Sequence, residues 1–174
     1  MNSIHNVIDR LDRDAFSCAV DKLLGAKHIY ILGVRSSSFL AGYLNFYLHL
    51  MFKNVTLVQN AAAGEIFEQL SQIGPRDVLV GISFPRYSTR TLEAMRFAHD
   101  SGAQVIGLTD GPMSPLHQEA YICLSARTDM ASFVDSLAAP LSVINALLVA
   151  LAMKKRNDLN RHFARLEEIW DAYS

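Results

Sequence analysis

The chain has 174 residues, enough for one domain with a sizeable core, and its 51% hydrophobic and 19% charged residues exclude a disordered or low-complexity protein. Lys and Arg number 16 against 17 Asp and Glu, a net charge of −1. A protein that held DNA chiefly through its own phosphate contacts would be basic, so the chain by itself is not expected to bind nucleic acid.

Met1 to Arg13 is polar and charged, without the apolar run of a secretory signal. From Ile4 to Leu24 the apolar residues recur at helical spacings and predict a leading helix over 4–24 that stops at Gly25. His28 to Leu32 reads as a buried strand ending at Gly33, and Ser36, Ser37 and Ser38 as an N-cap cluster opening an apolar helix to about Phe52. A short strand, Val55 to Val58, precedes a helix over Ala62 to Ile73 that ends at Gly74-Pro75. A third strand, Asp77 to Ile82, leads into the loop Ser83 to Ser88, where Ser88 or Thr89 caps a helix running to Asp100. The strand Gln104 to Thr109, a turn, a short helical segment and a fifth strand, Tyr121 to Leu124, come next. An apolar helix at about Phe133 to Lys155 and an amphipathic one over Asp158 to Ala172 close the chain. No repeat or composition break interrupts it, so residues 1–174 read as one domain with its core over 27–155.

Two stretches need separate weighing. Ser136 to Met153 carries no charge over 18 residues and precedes Lys154, Lys155 and Arg156, near the lower limit for a membrane span. Pro140, Ser142, Asn145, abundant Ala and the preceding Asp135 favour instead a helix buried by its own sheet and a partner subunit, with no membrane. Cys18 and Cys123 are too few for a disulfide framework or a zinc site; buried free thiols in a reducing cytoplasm are expected. No two histidines have metal-ligand spacing.

Five apolar strands separated by helices predict right-handed crossovers and a parallel sheet covered on both faces, an α/β three-layer αβα sandwich. In such sheets ligands collect beyond the carboxyl ends of the strands at the topological switch point. The loops Gly33–Ser38, Ser83–Ser88 and Thr109–Ser114 fall there, and all three are rich in hydroxyls. The first has Arg35 where a dinucleotide fingerprint needs its second glycine, and no phosphate-loop lysine follows, so no cofactor is implied. What remains is serine-bearing turns at two helix N-termini, with Arg86 able to neutralise a phosphate or carboxylate. A phosphate or other small anion is the expected ligand.

In their order and spacing these residues resemble a known family. Gly33-Val34-Arg35-Ser36-Ser37-Ser38-Phe39-Leu40-Ala41 is similar to the G-x-G-x-S-x-x-x-A turn of sugar isomerase (SIS) domains. Ile82 to Ser88 resembles their I-S-x-S-G-x-T loop, and Gly107 to Asp110 with Ser114-Pro115-Leu116 their I-T-D…S-P-L segment. The resemblance runs from about Lys27 to Leu151, and the leading helix and tail look most like the effector domain of RpiR-type transcription regulators. It implies a flavodoxin-like five-stranded sheet, dimerisation, and a bound phosphosugar held by the hydroxyls of Ser37, Ser83 and Ser88. Ser36, Arg86 and Thr109 complete the expected binding set, with helix N–H groups supplying several of the bonds. The chain departs from the pattern at Arg35, Pro85 and Arg86, where the family has Gly, Ser and Gly.

The resemblance serves two functions. A regulator's sensing domain binds a phosphosugar and passes occupancy through its dimer to a helix-turn-helix domain absent from these residues; DNA is then a partner only through that domain. An aldose–ketose isomerase needs in addition a base near the open-chain sugar. Glu65 and His117 are the candidates, with Glu68 and Asp135 behind them, and the segment 125–133 before the long helix offers no Glu. The sensor is the expectation and the stand-alone isomerase the alternative. The helix after the first strand is apolar on almost every face, which predicts a homodimer and leaves a tetramer of such dimers open.

Overall fold

The computed structural model describes residues 12–59, 63–127 and 136–173. In chain order these form α1 (Arg13–Gly25), β1 (His28–Gly33), α2 (Ser37–Met51), β2 (Val55–Leu57), α3 (Ala63–Gln69) and β3 (Asp77–Ile82). There follow α4 (Thr89–Asp100), β4 (Gln104–Thr109), α5 (Leu116–Glu119), β5 (Ile122–Ser125), α6 (Ala138–Lys154) and α7 (Arg156–Tyr173). All five strands pair in parallel in the order β2-β1-β3-β4-β5. The order reverses between β1 and β3, and that is where the carboxyl ends leave a crevice.

Alternate residues along the strands sort the core into two layers. Ile29 and Ile31 of β1, Val78, Val80 and Ile82 of β3 and Ile106 and Leu108 of β4 meet α1, α2 and α6 on one face. Tyr30, Leu32, Leu79 and Val105 meet α3, α4 and α5 on the other. With both faces covered, the strands read as continuous apolar runs rather than alternating ones, as the sequence shows. On the second face Gly81 and Gly107 are register partners. A Cβ on Gly81 would lie 2.5 Å from Met95 Sδ, so this glycine lets α4 lie flat on the sheet.

Several boundaries differ from the sequence reading for identifiable reasons. Asp12 has extended backbone and accepts from the N–H groups of Asp14 and Ala15, each at 3.0 Å, as the N-cap of a helix that begins at Arg13. The earlier part of that predicted helix, residues 4–11, lies outside the described residues, as do Ala62, Phe133 and Asp135. α3 ends at Gln69, not Ile73: Ser71 and Ile73 donate to Glu68 and Leu70 in tight turns, and the Asp77 carboxylate takes the Gly74 N–H at 2.9 Å. Strand β5 begins at Ile122; Tyr121 is exposed, and its N–H donates to the Val105 carbonyl. Ser36 is not the side-chain cap expected of it. It stands at the N-cap of α2 in helical conformation without a capping bond, and Ser38 donates instead to the Arg35 carbonyl at 2.6 Å.

Among the described residues no single helix is long and apolar enough to cross a membrane. The uncharged run falls in α6, which buries Val143, Ile144, Leu147, Leu148 and Leu151 against the sheet and bends 91° into α7. Cys18 and Cys123 are free and half-buried, less enclosed than expected. Burial pushes the Cys123 thiol up to about 11, so it stays protonated and unreactive.

Candidate functional site

The β1–α2 and β3–α4 loops face one another at the switch point and enclose a cavity of about 270 Å³. Its wall includes Arg35, Ser36 and Ser37 from the first loop and Ser83, Arg86 and Ser88 from the second. Five of the six residues expected to bind ligand are therefore brought together. The sixth, Thr109, is fully buried beside them but does not line the cavity. Its hydroxyl lies 2.7 Å from Ser114 Oγ and 3.1 Å from Asp110 Oδ1, and Asp110 in turn accepts from the Tyr87 hydroxyl at 2.7 Å. Thr109 thus belongs to a network that ties the β3–α4 loop to the end of β4. Burial first, then the hydrogen bond to Asp110 and its charge, hold the Tyr87 phenol above its ordinary range, with Ser114 opposing.

The polarity of the serines follows from their own bonds. Ser83 Oγ accepts from the Ser88 N–H at 3.1 Å, and Ser88 Oγ accepts from the Thr91 N–H at 3.3 Å as the side-chain cap of α4. A hydroxyl that accepts from a backbone N–H still has its own proton to donate. The site therefore offers O–H donors, the polarity an anion requires. The N–H groups of Ser37, Ser38 and Phe39 donate to the Val34, Arg35 and Ser36 carbonyls within the turn.

Arg35 and Arg86 have φ of 55° and 68°, and they are the described non-glycine residues in the left-handed region. A side chain there costs about 1–2 kcal/mol relative to ordinary backbone, a cost glycine avoids. Both loops keep the glycine backbone of the resembled motif while carrying a guanidinium. Next to the first cavity lies a second of about 340 Å³, lined by Val34, Arg35, Tyr87, Ser88, Thr89 and Arg90, so that the two share Val34, Arg35 and Ser88. Tyr87 and Arg90 were missed in the sequence because neither matches a motif position. Arg35 stood out in the sequence only as a departure from the motif, although a bulky cation in a glycine slot is itself a signal.

Glu65 and His117 are exposed and line neither cavity. Glu65 lies in the first turn of α3, and His117 lies on α5, where its N–H donates to the Ser114 carbonyl. A larger hollow of about 800 Å³ opens at the other end of the sheet near Lys27, Lys53 and Lys155. It faces the carboxyl ends of α1 and α2, whose carbonyls disfavour an anion.

A 2-1-3-4-5 parallel sheet with hydroxyl- and guanidinium-bearing loops at its switch point defines a doubly wound α/β domain of the small-ligand-binding class. The SIS domain model matches residues 22–150, and the chain belongs to that family. It is 28% identical over 173 residues to an uncharacterized HTH-type transcriptional regulator of Caldanaerobacter subterraneus, covering 96% of this chain and 60% of that protein. The chain thus spans about three fifths of the length of this relative. Among solved structures, the sugar isomerase domain of an RpiR transcription factor from Sphaerobacter thermophilus superposes with a TM-score of 0.90 at 22% identity, covering 96% and 93% of the two chains. The Vibrio vulnificus NanR protein complexed with ManNAc-6P does so at 0.82 and 17%, covering 97% and 66%. These likenesses establish the three-layer fold.

Proposed function

We propose that residues 1–174 are a single SIS domain that serves as the phosphosugar-sensing and dimerising module of a transcription regulator of carbohydrate metabolism. Ser37, Ser83, Ser88 and Arg86 hold the ligand phosphate, Ser36 lies at its edge, and Thr109 positions the β3–α4 loop from beneath. Occupancy passes through a homodimer to a DNA-binding domain outside these residues, in the cytoplasm. The observation that carries this reading is the pair of serines, Ser83 and Ser88, whose oxygens already accept from backbone N–H groups at the β1/β3 switch point. The regulator relative and the ManNAc-6P held by a protein of this fold support it.

Calorimetric titration with a panel of phosphosugars tests it. At least one is expected to bind saturably, and Ser83→Ala is expected to weaken that binding by about 1–2 kcal/mol, roughly 5- to 30-fold. Failure of every phosphosugar and of inorganic phosphate to bind or to raise the melting temperature would overturn the reading.

The sensor is favoured over the isomerase because no carboxylate or imidazole lines either cavity among the described residues. Proton transfer between adjacent sugar carbons needs a base within hydrogen-bond reach. Incubation with fructose 6-phosphate and related ketose phosphates in deuterated water is expected to leave C1 and C2 unlabelled. Deuterium incorporation above a Glu65→Gln, His117→Ala control would establish the isomerase instead.

A further inference from the structure

We infer that the hollow of about 800 Å³ at the amino end of the sheet is a second binding site, which takes a single-chain amphipathic anion: an unbranched alkyl chain ending in a carboxylate or phosphate. The inference is independent of the phosphosugar reading, because the hollow shares no residue with the two cavities at the switch point.

The hollow lies where α1 and α2 turn into β1 and β2 and the first half of α7 faces them, and its volume is in the range of small-ligand sites. Its floor is apolar. Ile29 and Met51 are buried there, and Leu24, Leu50 and Phe52 are half-buried. Leu50 is packed against neither core layer of the described residues, so the apolar surface it keeps in the hollow is left for a ligand to cover.

The rim is cationic. Lys27, Lys53, Lys155 and Arg161 stand on it with one carboxylate, Asp158, in a chain whose overall charge is −1. Asp158 already pairs with Arg161 and, at 3.4 Å, with Lys155, whose ammonium also lies 4.4 Å from the centre of the Phe52 ring. Lys27 and Lys53 pair with no carboxylate among the described residues. Each follows the end of a helix by two residues, where a cation offsets the helix dipole. That role leaves the apolar floor between them unexplained.

Floor and rim together set the direction of the ligand. The helix carbonyls disfavour an anion at the floor, so the head group stays at the rim with the two lysines and the alkyl chain covers Leu24, Leu50 and Phe52. A sugar finds no partners for its hydroxyls on those three side chains. The floor is recessed behind a charged rim, so one chain reaches it and the flat surface of a bilayer does not.

Titration calorimetry on the full chain with decanoate, decyl phosphate, decanol and decyltrimethylammonium, each below its micellar concentration, tests the proposal. At least one of the two anions is expected to bind tenfold or more tighter than decanol, and the tighter of them identifies the head group; decyltrimethylammonium is expected not to bind. Lys27→Gln combined with Lys53→Gln is expected to remove most of the preference for the anion while changing decanol binding little. Leu50→Asn is expected to weaken anion and decanol alike severalfold, with the melting temperature without ligand showing that both variants are folded. Equal affinity for the anions and decanol, or a preference that survives the double lysine variant, would overturn the inference. So would displacement of the anion by excess fructose 6-phosphate, which would place it in the switch-point cleft. Binding to phosphatidylglycerol vesicles without binding of the monomeric probes would make the face a membrane surface instead. A fall in sedimenting mass on adding the anion would show that a second copy of the chain occupies the hollow. Absence of binding by every probe would overturn the inference and leave the phosphosugar reading standing.

Discussion

Gly33→Ala is expected to disrupt the ligand site and to destabilise the fold together. A Cβ at this position would lie 2.4 Å from the Ser37 carbonyl oxygen, 2.9 Å from its carbon and 3.1 Å from Ala41 Cβ. The first two contacts are with backbone, so no rotamer change relieves them; the first turn of α2 must lift from the end of β1. Overpacking of this kind costs about 1–3 kcal/mol, roughly 2–12 °C in melting temperature for a chain of this size. The same displacement carries Ser37 out of the cavity wall and parts the two loops, so phosphosugar affinity is expected to fall roughly 10- to 100-fold. Gly25→Ala is the control, since a Cβ there meets nothing within 4 Å. A Gly33→Ala protein with unchanged melting temperature and affinity would show that α2 does not depend on this close approach.

The strands were legible because a doubly covered parallel sheet leaves uninterrupted apolar runs, and Asp77 to Ile82 and Gln104 to Thr109 were read with their observed bounds. Helix limits were less legible where two local structures satisfy one spacing. Ile66, Leu70 and Ile73 suit a continuous helix, yet the same intervals serve the tight turns that follow Gln69. At Asp12 the apolar periodicity runs through a residue whose side chain takes backbone N–H groups and caps the helix that begins at Arg13. Within the site, the serines were legible by type and place. The sign of φ was not: nothing in the order of residues says that Arg35 keeps a glycine conformation, and that conformation sets its side chain between two cavities. Thr109 matched the motif as well as Ser83 did; only the 2.7 Å approach to Ser114 distinguishes a residue that supports the loop from one that lines the cavity.

Phe46→Asp is expected to convert a dimer into monomers. The sheet takes Leu40, Leu44, Leu48 and Met51 of α2, which leaves Phe39 and Phe46, seven residues apart on one stripe, 73% and 63% exposed. Beside them Val149 and Met153 of α6 are 59% and 75% exposed, and Tyr43 donates to Asn145 Oδ1 at 2.8 Å across the two helices. Phe46 and Tyr47 meet edge to face with centroids 5.1 Å apart, so the ridge is already ordered before a partner arrives. A soluble monomer rarely leaves such a patch uncovered. Burying one phenylalanine contributes about 1.5–3 kcal/mol, and a two-fold interface contains each residue twice. Removing both copies should therefore weaken association by about 3–6 kcal/mol, roughly 10²- to 10⁴-fold in the dissociation constant. Because Phe46 lies outside the core, the variant should remain folded, and its melting temperature should lose the concentration dependence expected of the parent. Phe163→Asp on α7 is the comparison: Phe163 is 46% exposed on a helix that buries none of its residues. Sedimentation in which Phe163→Asp dissociates the dimer and Phe46→Asp does not would move the interface to α7, and a parent chain that is monomeric at micromolar concentration would remove it altogether.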